Sequence, residues 1–375
     1  MAQKLFLPGL NGLRAIAAIS VAISHINGHL YLFSLTNFRY LDLANFGVTI
    51  FFTISGFLIT YLLLKENQKY KTVDYKKFYM RRILRIWPLY YFYLLLILLI
   101  LGYNDLGITY LLYLGIIPNI ANAILADPSI TFLAPTPIAL FLIGHYWSLG
   151  TEEQFYALYP IVITKGKKIF TFLLLFPIIF LFLKIIVNYL NFPMAYRYFL
   201  HYSRFGCLCI GGLGAYIYTV YKTRCEMLLY QKLSYYVEFI CWGILLLVAL
   251  NKFHIASIID HEIIACITVL IIYLQITGRA ILNLENKMFD FLGKISYGIY
   301  VYNPLTIYLI SQYLINPSNS TFTSYSLYIY IIVLFSNIII AYISYNTLEK
   351  YFLNMKHNFT LINSVNNRKD FMNEK

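Results

Sequence analysis

The sequence predicts an all-α, polytopic membrane protein with about ten transmembrane helices. Of its 375 residues, 60% are hydrophobic and only 12% are charged, which is about half the charged fraction of a soluble domain. The mean hydropathy is +0.67, and apolar runs long enough to cross a bilayer recur along the whole chain. We predict spans near residues 13–32, 46–64, 83–102, 145–164, 169–190, 204–221, 235–250, 260–276, 289–313 and 325–348, with 107–125 as an extra short or re-entrant candidate.

The net charge of +13 is distributed in the way that membrane topology requires. Lysine and arginine concentrate in every second loop, whereas the 103–145 connection contains neither. Because basic loops stay on the cytoplasmic side, we expect both termini to be cytoplasmic. This placement explains the charge without nucleic acid, which we do not expect as a partner. We predict one transmembrane domain over 1–355 and a polar cytoplasmic tail over 356–375.

The first predicted span contains two ionisable residues, Arg14 and His25. Their spacing corresponds to about 20° from three full helical turns, so both side chains share one face, about 16 Å apart along the axis. Ionisable groups at membrane depth usually face a protein interior or a water-filled cavity. We therefore predict that Arg14 and His25 line one polar path through the membrane, at two different depths. The alternative is an arginine that snorkels to the headgroups and a histidine that bonds a nearby carbonyl.

A second polar segment, HYWSLGTEEQFYALYP, spans residues 145–160. If it is helical from about Trp147, Ser148 and Glu152 share a face, and Glu153 is rotated from Glu152 by about 100°. We expect Glu152 to point inward and Glu153 to cap, pair with or orient neighbours. An interfacial anchor is the alternative; it explains the aromatic residues better than the carboxylates.

Two further motifs contain polar residues. Arg82 and Arg85, at the start of the third span, can share a helix face and grip a phosphate-bearing cytosolic ligand. The alternative is a topology signal that binds anionic lipid headgroups. In the ninth span, Asn303 precedes a proline that frees a backbone carbonyl, so the amide either satisfies local polar groups or lines a cavity.

The five cysteines predict no special chemistry. They form no C-x-x-C pair and indicate neither a disulfide framework nor a metal site. We expect no bound metal.

In this order, these segments resemble the acyltransferase 3 family of integral membrane acyltransferases, which modify sugars of bacterial cell-surface glycans. The resemblance covers residues 8–352. The matching motifs are R-x10-H at Arg14 and His25, F-F-x-h-S-G-F-L at 51–58, R-x-x-R at 82–85, W-S-L-x-x-E-E-x-F-Y at 147–156 and S-Y-x-h-Y at 296–300.

The resemblance implies a multi-pass enzyme of the bacterial inner (plasma) membrane. Such an enzyme moves an acyl group, most often acetyl, from cytosolic acyl-CoA to a hydroxyl of a surface carbohydrate such as O-antigen, capsule or exopolysaccharide. Acyl-CoA is then a donor substrate, and no permanently bound cofactor is expected. A carbohydrate or glycolipid acceptor and membrane lipids are the other expected partners. The sequence leaves the acyl group, the sugar and the oligomeric state open.

The resemblance also implies roles for individual residues. His25 is the expected general base on the acceptor hydroxyl, or, as a variant, a nucleophile that becomes acylated. Glu152, the second catalytic candidate, orients or charge-stabilises His25, or binds the sugar. The predicted substrate-binding residues are Arg14, Arg82, Arg85, Trp147, Ser148, Glu153 and Asn303.

The chain departs from the family pattern in two places. Asn303 stands where members often have histidine, and asparagine cannot titrate near neutral pH; Tyr351 stands where proline is common. We also expect no appended hydrolase-like domain, so that the membrane domain or a separate partner completes acyl delivery. A transporter or flippase for a lipid-linked glycan is the main alternative, because aromatic side chains stack on sugars, and a membrane scaffold is the second.

Overall fold

A computed structural model describes residues 3–35, 43–127, 134–165, 168–228, 233–314, 326–360 and 362–365. The described chain is almost entirely helical, so the all-α class is confirmed. The helices are α1 (Leu10–Gly28), α2 (Leu43–Tyr70), α3 (Tyr75–Leu101), α4 (Tyr103–Leu106), α5 (Tyr110–Leu114), α6 (Pro118–Leu125), α7 (Pro137–Ile143), α8 (Trp147–Lys165), α9 (Ile169–Tyr189), α10 (Met194–Tyr202), α11 (Phe205–Val220), α12 (Lys222–Leu228), α13 (Leu233–Ala249), α14 (Asp260–Ile276), α15 (Lys287–Lys294), α16 (Ser296–Leu309), α17 (Ser326–Ser344) and α18 (Lys350–Lys356).

Four helical segments are long and apolar enough to cross a membrane: α2, α3, α9 and the continuous stretch Leu327–Phe359. Each of the ten predicted spans overlaps a described helix. The count of ten spans and the orientation of the termini stay predictions. The polar residues Arg14, His25, Glu152 and Glu153 lower the hydropathy of α1 and α8, the two helices that contain most of the candidate site residues.

Local sequence signals set the start of the two helices that contain the arginines. Gly9 precedes α1 with a φ of 77°, a left-handed conformation that glycine adopts without steric cost. Asp74 caps α3, because its carboxylate accepts the backbone N–H of Lys77 at 3.0 Å. These caps fix where Arg14 and the 81–85 turn lie along their helices.

Helix α2 lies at the centre of the bundle and packs against α1 and α11. A Cβ atom at Gly56 would overlap the backbone of Leu208, and one at Gly211 would overlap the backbone of Thr53. Glycine at both positions lets the α2 and α11 backbones approach closely, as is common between membrane helices.

The two ends of the described chain meet. Strand β1 (Gln3–Phe6) pairs in parallel with β2 (Ile362–Val365). Helix α18 packs against α3, where the Arg81 guanidinium donates from Nη1 to the carbonyl of Phe359 at 2.9 Å. The predicted tail over 356–375 thus begins within this returning segment, and residues 361 and 366–375 lie outside the described residues.

Candidate functional site

A central cavity of about 90 Å³ gathers charged residues from three helices. Arg14 comes from α1, Arg82 and Arg85 from α3, and Ser148 and Glu152 from α8. With three guanidinium groups against one carboxylate, the side chains that line the cavity have a formal charge of +2. The cavity therefore favours an anionic or electron-rich ligand.

A larger cavity of about 260 Å³, the basic vestibule, adjoins the central cavity. The two cavities share Arg14, Arg82 and Arg85 as wall residues. The vestibule adds cations from α3, α15 and α18, namely Arg81, Lys294, Lys350 and Lys356, and His357 also lines it.

The third cavity, of about 470 Å³, contains the histidines and is called here the histidine cavity. Its walls include His25, His29, His145, Trp147 and Tyr202. The indole of Trp147 lies 4.8 Å from the Tyr202 ring, centroid to centroid. Such an aromatic wall can stack on the apolar face of a sugar ring.

The central and histidine cavities share no wall residue, and contacts between Tyr300 and His145 lie between them. The hydroxyl of Tyr300, a wall residue of the central cavity, donates to the His145 carbonyl at 2.7 Å. The Ser148 and Tyr300 hydroxyl oxygens lie 2.6 Å apart. The imidazole of His145 is 6.2 Å from that of His25, centroid to centroid. The basic vestibule thus adjoins the central cavity, and the histidine cavity lies on the other side of the Tyr300–His145 contact.

His25 is oriented by Asn303. Its Nδ1 lies 3.1 Å from Asn303 Oδ1. Where the amide oxygen is the acceptor, Nδ1 carries the proton and Nε2 keeps its lone pair. Asn303 is fully buried; the predicted substrate-binding residue therefore contacts His25 and does not line any of the three cavities.

The two carboxylates of α8 point to different surroundings. Glu152 lines the central cavity and accepts the hydroxyl of Tyr156, whereas Glu153 accepts the indole N–H of Trp87 at 3.1 Å. Glu152 is not beside His25, as one of the predicted roles requires. It lies seven residues beyond His145, which corresponds to about 10 Å along the helix, so that it reaches the arginines instead.

The arginines of the central cavity form no ion pair within the described ranges, although Glu152 lies in the same cavity and attracts Arg14 and Arg85. The guanidinium of Arg82 lies over the Tyr156 ring at 5.1 Å, a cation–π contact that fixes its position and leaves its charge uncompensated. In the part of the chain that the structure describes, Arg14 and Arg85 make no ion pair and no hydrogen bond to another protein group. Buried cations of this kind are expected to bind an anion.

Sequence reasoning missed His145. Its side chain is only 7% exposed, and neither ring nitrogen has a hydrogen-bond partner among the described residues. The only signal was its position next to the W-S-L motif. Its direction depends on the 3-10 turn Gly144–Tyr146 that precedes α8, and no helical spacing rule predicts such a turn.

A family model described as "Acyltransferase domain", acyltransferase 3, matches residues 7–346. The O-acetyltransferase OatA of Staphylococcus aureus (strain NCTC 8325 / PS 47) is 27% identical over 369 residues, which cover 92% of this chain and 57% of the relative. The putative O-acetyltransferase SACOL0978 of S. aureus strain COL is 27% identical over 365 residues, with the same coverage.

The chain spans about 57% of the length of these curated relatives. No solved structure matches the chain. The comparisons therefore concern only the part of the relatives that this chain covers.

Proposed function

This chain belongs to the acyltransferase 3 family, and from this premise we propose that it is an O-acyltransferase of the bacterial inner membrane. The donor is acyl-CoA, with acetyl as the acyl group in keeping with the O-acetyltransferase names of its relatives. The acceptor is a hydroxyl group of a cell-surface carbohydrate or glycolipid.

The observation that carries this proposal is the order of the three cavities. Unpaired arginines line the central cavity, and a histidine with a free ring nitrogen lines the cavity beyond it. A donor with anionic phosphates at one end and a thioester at the other matches this order. The separation of Arg14 and His25 along α1, about 16 Å, is within the length of such a donor's arm.

In the proposed reaction, the acceptor approaches through the histidine cavity, where Trp147 and Tyr202 offer a stacking surface. Nε2 of His25 takes the proton from the acceptor hydroxyl as its oxygen attacks the thioester carbonyl carbon. The carbon–sulfur bond of the tetrahedral intermediate then breaks, and the leaving thiolate takes the proton from His25. The products are the acyl ester and free CoA.

The surrounding residues support this step in different ways. The hydrogen bond of Asn303 keeps the proton of His25 on Nδ1. His145, which lies beside His25, can donate a hydrogen bond to the oxyanion of the intermediate. Glu152 limits the charge of the central cavity and, through its position there, orients the arginines rather than His25.

The substitution His25→Ala tests the proposal. We expect it to lower acyl transfer by about 10²- to 10⁴-fold, the usual contribution of a general base. The measurement is O-acylated surface glycan, by mass spectrometry, in cells with equal protein levels. His254→Ala is the matched control, because His254 is exposed and bonds Asp260 outside the three cavities. Normal acylation by His25→Ala would exclude the proposed chemistry.

Assays with purified protein distinguish the acyltransferase hypothesis from the flippase hypothesis. Release of free CoA coupled to sugar acylation supports the acyltransferase. Glycan translocation in vesicles without CoA release would contradict it and favour a transporter.

A further inference from the structure

The basic vestibule contains more positive charge than the described protein groups around it can balance. Seven arginines and lysines line it: Arg14, Arg81, Arg82, Arg85, Lys294, Lys350 and Lys356. Glu66 is the only acidic wall residue among the described residues. It lies 3.2 Å from Arg81 and also accepts the backbone N–H of Asp74 at 2.9 Å. Glu66 therefore balances one cation. Glu152, in the adjoining central cavity, and Glu349 attract the arginines, so that four of the seven positive charges are left without a matching carboxylate.

These cations act on one another. Lys356, on α18, is close enough to the four arginines of the vestibule to be repelled by each of them. Like charges at short range in a partly buried site destabilise the protein unless a counter-ion is present. The arrangement is therefore suited to a ligand with several negative charges.

The shape of the two cavities specifies the ligand further. The vestibule, about 260 Å³, is nearly three times the volume of the central cavity, about 90 Å³. Arg14, Arg82 and Arg85 line both cavities, whereas Arg81 and the lysines line only the vestibule. A matching ligand has a wide polyanionic head and a narrow, uncharged arm, with some of its charge at the junction between the two.

We propose that the vestibule binds the 3′-phosphorylated adenosine diphosphate end of the acyl-CoA donor. Arg82 and Arg85 bind the pyrophosphate, which lies next to the arm. Lys294, Lys350 and Lys356 bind the phosphate on the ribose, which lies farther from the thioester. This inference rests on the proposed function and adds that α18, at the end of the described chain, is part of the donor site.

A phospholipid headgroup shares the phosphate chemistry but fits the walls less well. A diacyl lipid needs an apolar groove beside its phosphate. The vestibule is lined mostly by charged and polar side chains, contributed by α1, α2, α3, α15 and α18.

The test compares two donors with purified protein. Acetyl-dephospho-CoA lacks only the ribose phosphate of acetyl-CoA. We expect the KM of acetyl-dephospho-CoA to be higher by about tenfold or more, because charge-assisted bonds to one phosphate are lost, with kcat little changed. In the double variant Lys350→Met/Lys356→Met, the ratio of the two KM values should fall to near one. Lys287→Met is the control, since Lys287 is an exposed lysine of α15 outside the vestibule and should keep the ratio.

A second measurement uses the unaltered protein and does not depend on how the variants fold. Adenosine 3′,5′-bisphosphate should inhibit transfer at lower concentration than adenosine 5′-phosphate or inorganic phosphate does. Equal KM values for the two donors in the unaltered protein, or a ratio that survives in the double variant, would overturn the inference. A third result would also overturn it: phosphatidylglycerol nanodiscs raise the rate of acyl transfer only when Lys350 and Lys356 are present, and adenosine 3′,5′-bisphosphate inhibits no better than adenosine 5′-phosphate. Absence of transfer from both donors would instead contradict the proposed function.

Discussion

Two groups of buried cations in this bundle differ in how their charge is compensated. Arg204 has no exposed surface and donates to the backbone carbonyl of Asn45 and to Thr49 Oγ1, both at 3.0 Å. Lys184 lies 2.8 Å from a carboxylate oxygen of Glu262. Arg204 also contacts the site, because its guanidinium carbon lies 5.1 Å from the centroid of the Trp147 ring.

Arg14 and Arg85 form the contrasting group. They line two cavities, and within the described ranges neither has an ion pair or a protein hydrogen bond. A charge inside the bundle is therefore not by itself a sign of function. A paired cation such as Lys184 supports the packing of helices, whereas an unpaired cation that lines a cavity is available for a ligand.

The largest effect that distinguishes the two groups concerns stability. Lys184→Met leaves Glu262 buried without its partner and should lower the free energy of unfolding by about 3–5 kcal/mol. Thermal unfolding in detergent measures this loss. The double variant Lys184→Met/Glu262→Leu should recover much of it, because two apolar side chains need no partner. If Lys184→Met were as stable as the unaltered protein, the paired and unpaired cations would not differ in their contribution to stability.

The reverse pattern is expected for Arg85. Arg85→Met should leave the unfolding temperature unchanged or raise it, because no ion pair or hydrogen bond is lost and the cost of burying the charge beside Arg82 is relieved. It should lower kcat/KM for acyl-CoA by about 10- to 100-fold through lost contacts to the donor. Arg85→Lys is the matched control that keeps the charge but not the forked geometry, and it should retain part of the activity. Unaltered donor affinity in Arg85→Met would favour the lipid-anchor interpretation.

The smallest expected effect on activity concerns Asn303, a buried residue that bonds His25. Asn303→Ala removes the acceptor of the His25 Nδ1 proton and should lower kcat by about tenfold, the equivalent of one hydrogen bond, with KM unchanged. Steady-state kinetics measure both constants. Asn188→Ala is the comparison, because Asn188 bonds only the backbone of α9 at Lys184. If Asn303→Ala changed KM alone, Asn303 would act on substrate binding instead of on His25.

Helical periodicity placed most of the site residues within their own helices. Ser148 and Glu152, four residues apart, line one cavity, and Glu153 bonds Trp87 elsewhere. Arg82 and Arg85, three apart, likewise share the central cavity. In each case the residues belong to one helix, so the angle between them follows from the 100° step per residue.

Contacts between distant parts of the chain were beyond such rules. Asn303 lies 278 residues from His25 and yet bonds it. Lys350 and Lys356 read as topology charges of the last loop and tail, but α18 returns to α3 and brings them to the vestibule. Glu152 was expected either to orient His25 or to bind the sugar, and it lines the central cavity with the arginines.

The sequence by itself determined that this is an all-helical membrane protein of the acyltransferase 3 type, and which side chains share a helix face. Composition and periodicity are properties of single segments, so they can be read directly from the amino-acid sequence. Only the tertiary structure decided which faces meet, because that depends on how closely backbones approach, as at Gly56 and Gly211. The division of the site into a basic vestibule, a central cavity and a histidine cavity is a product of that packing.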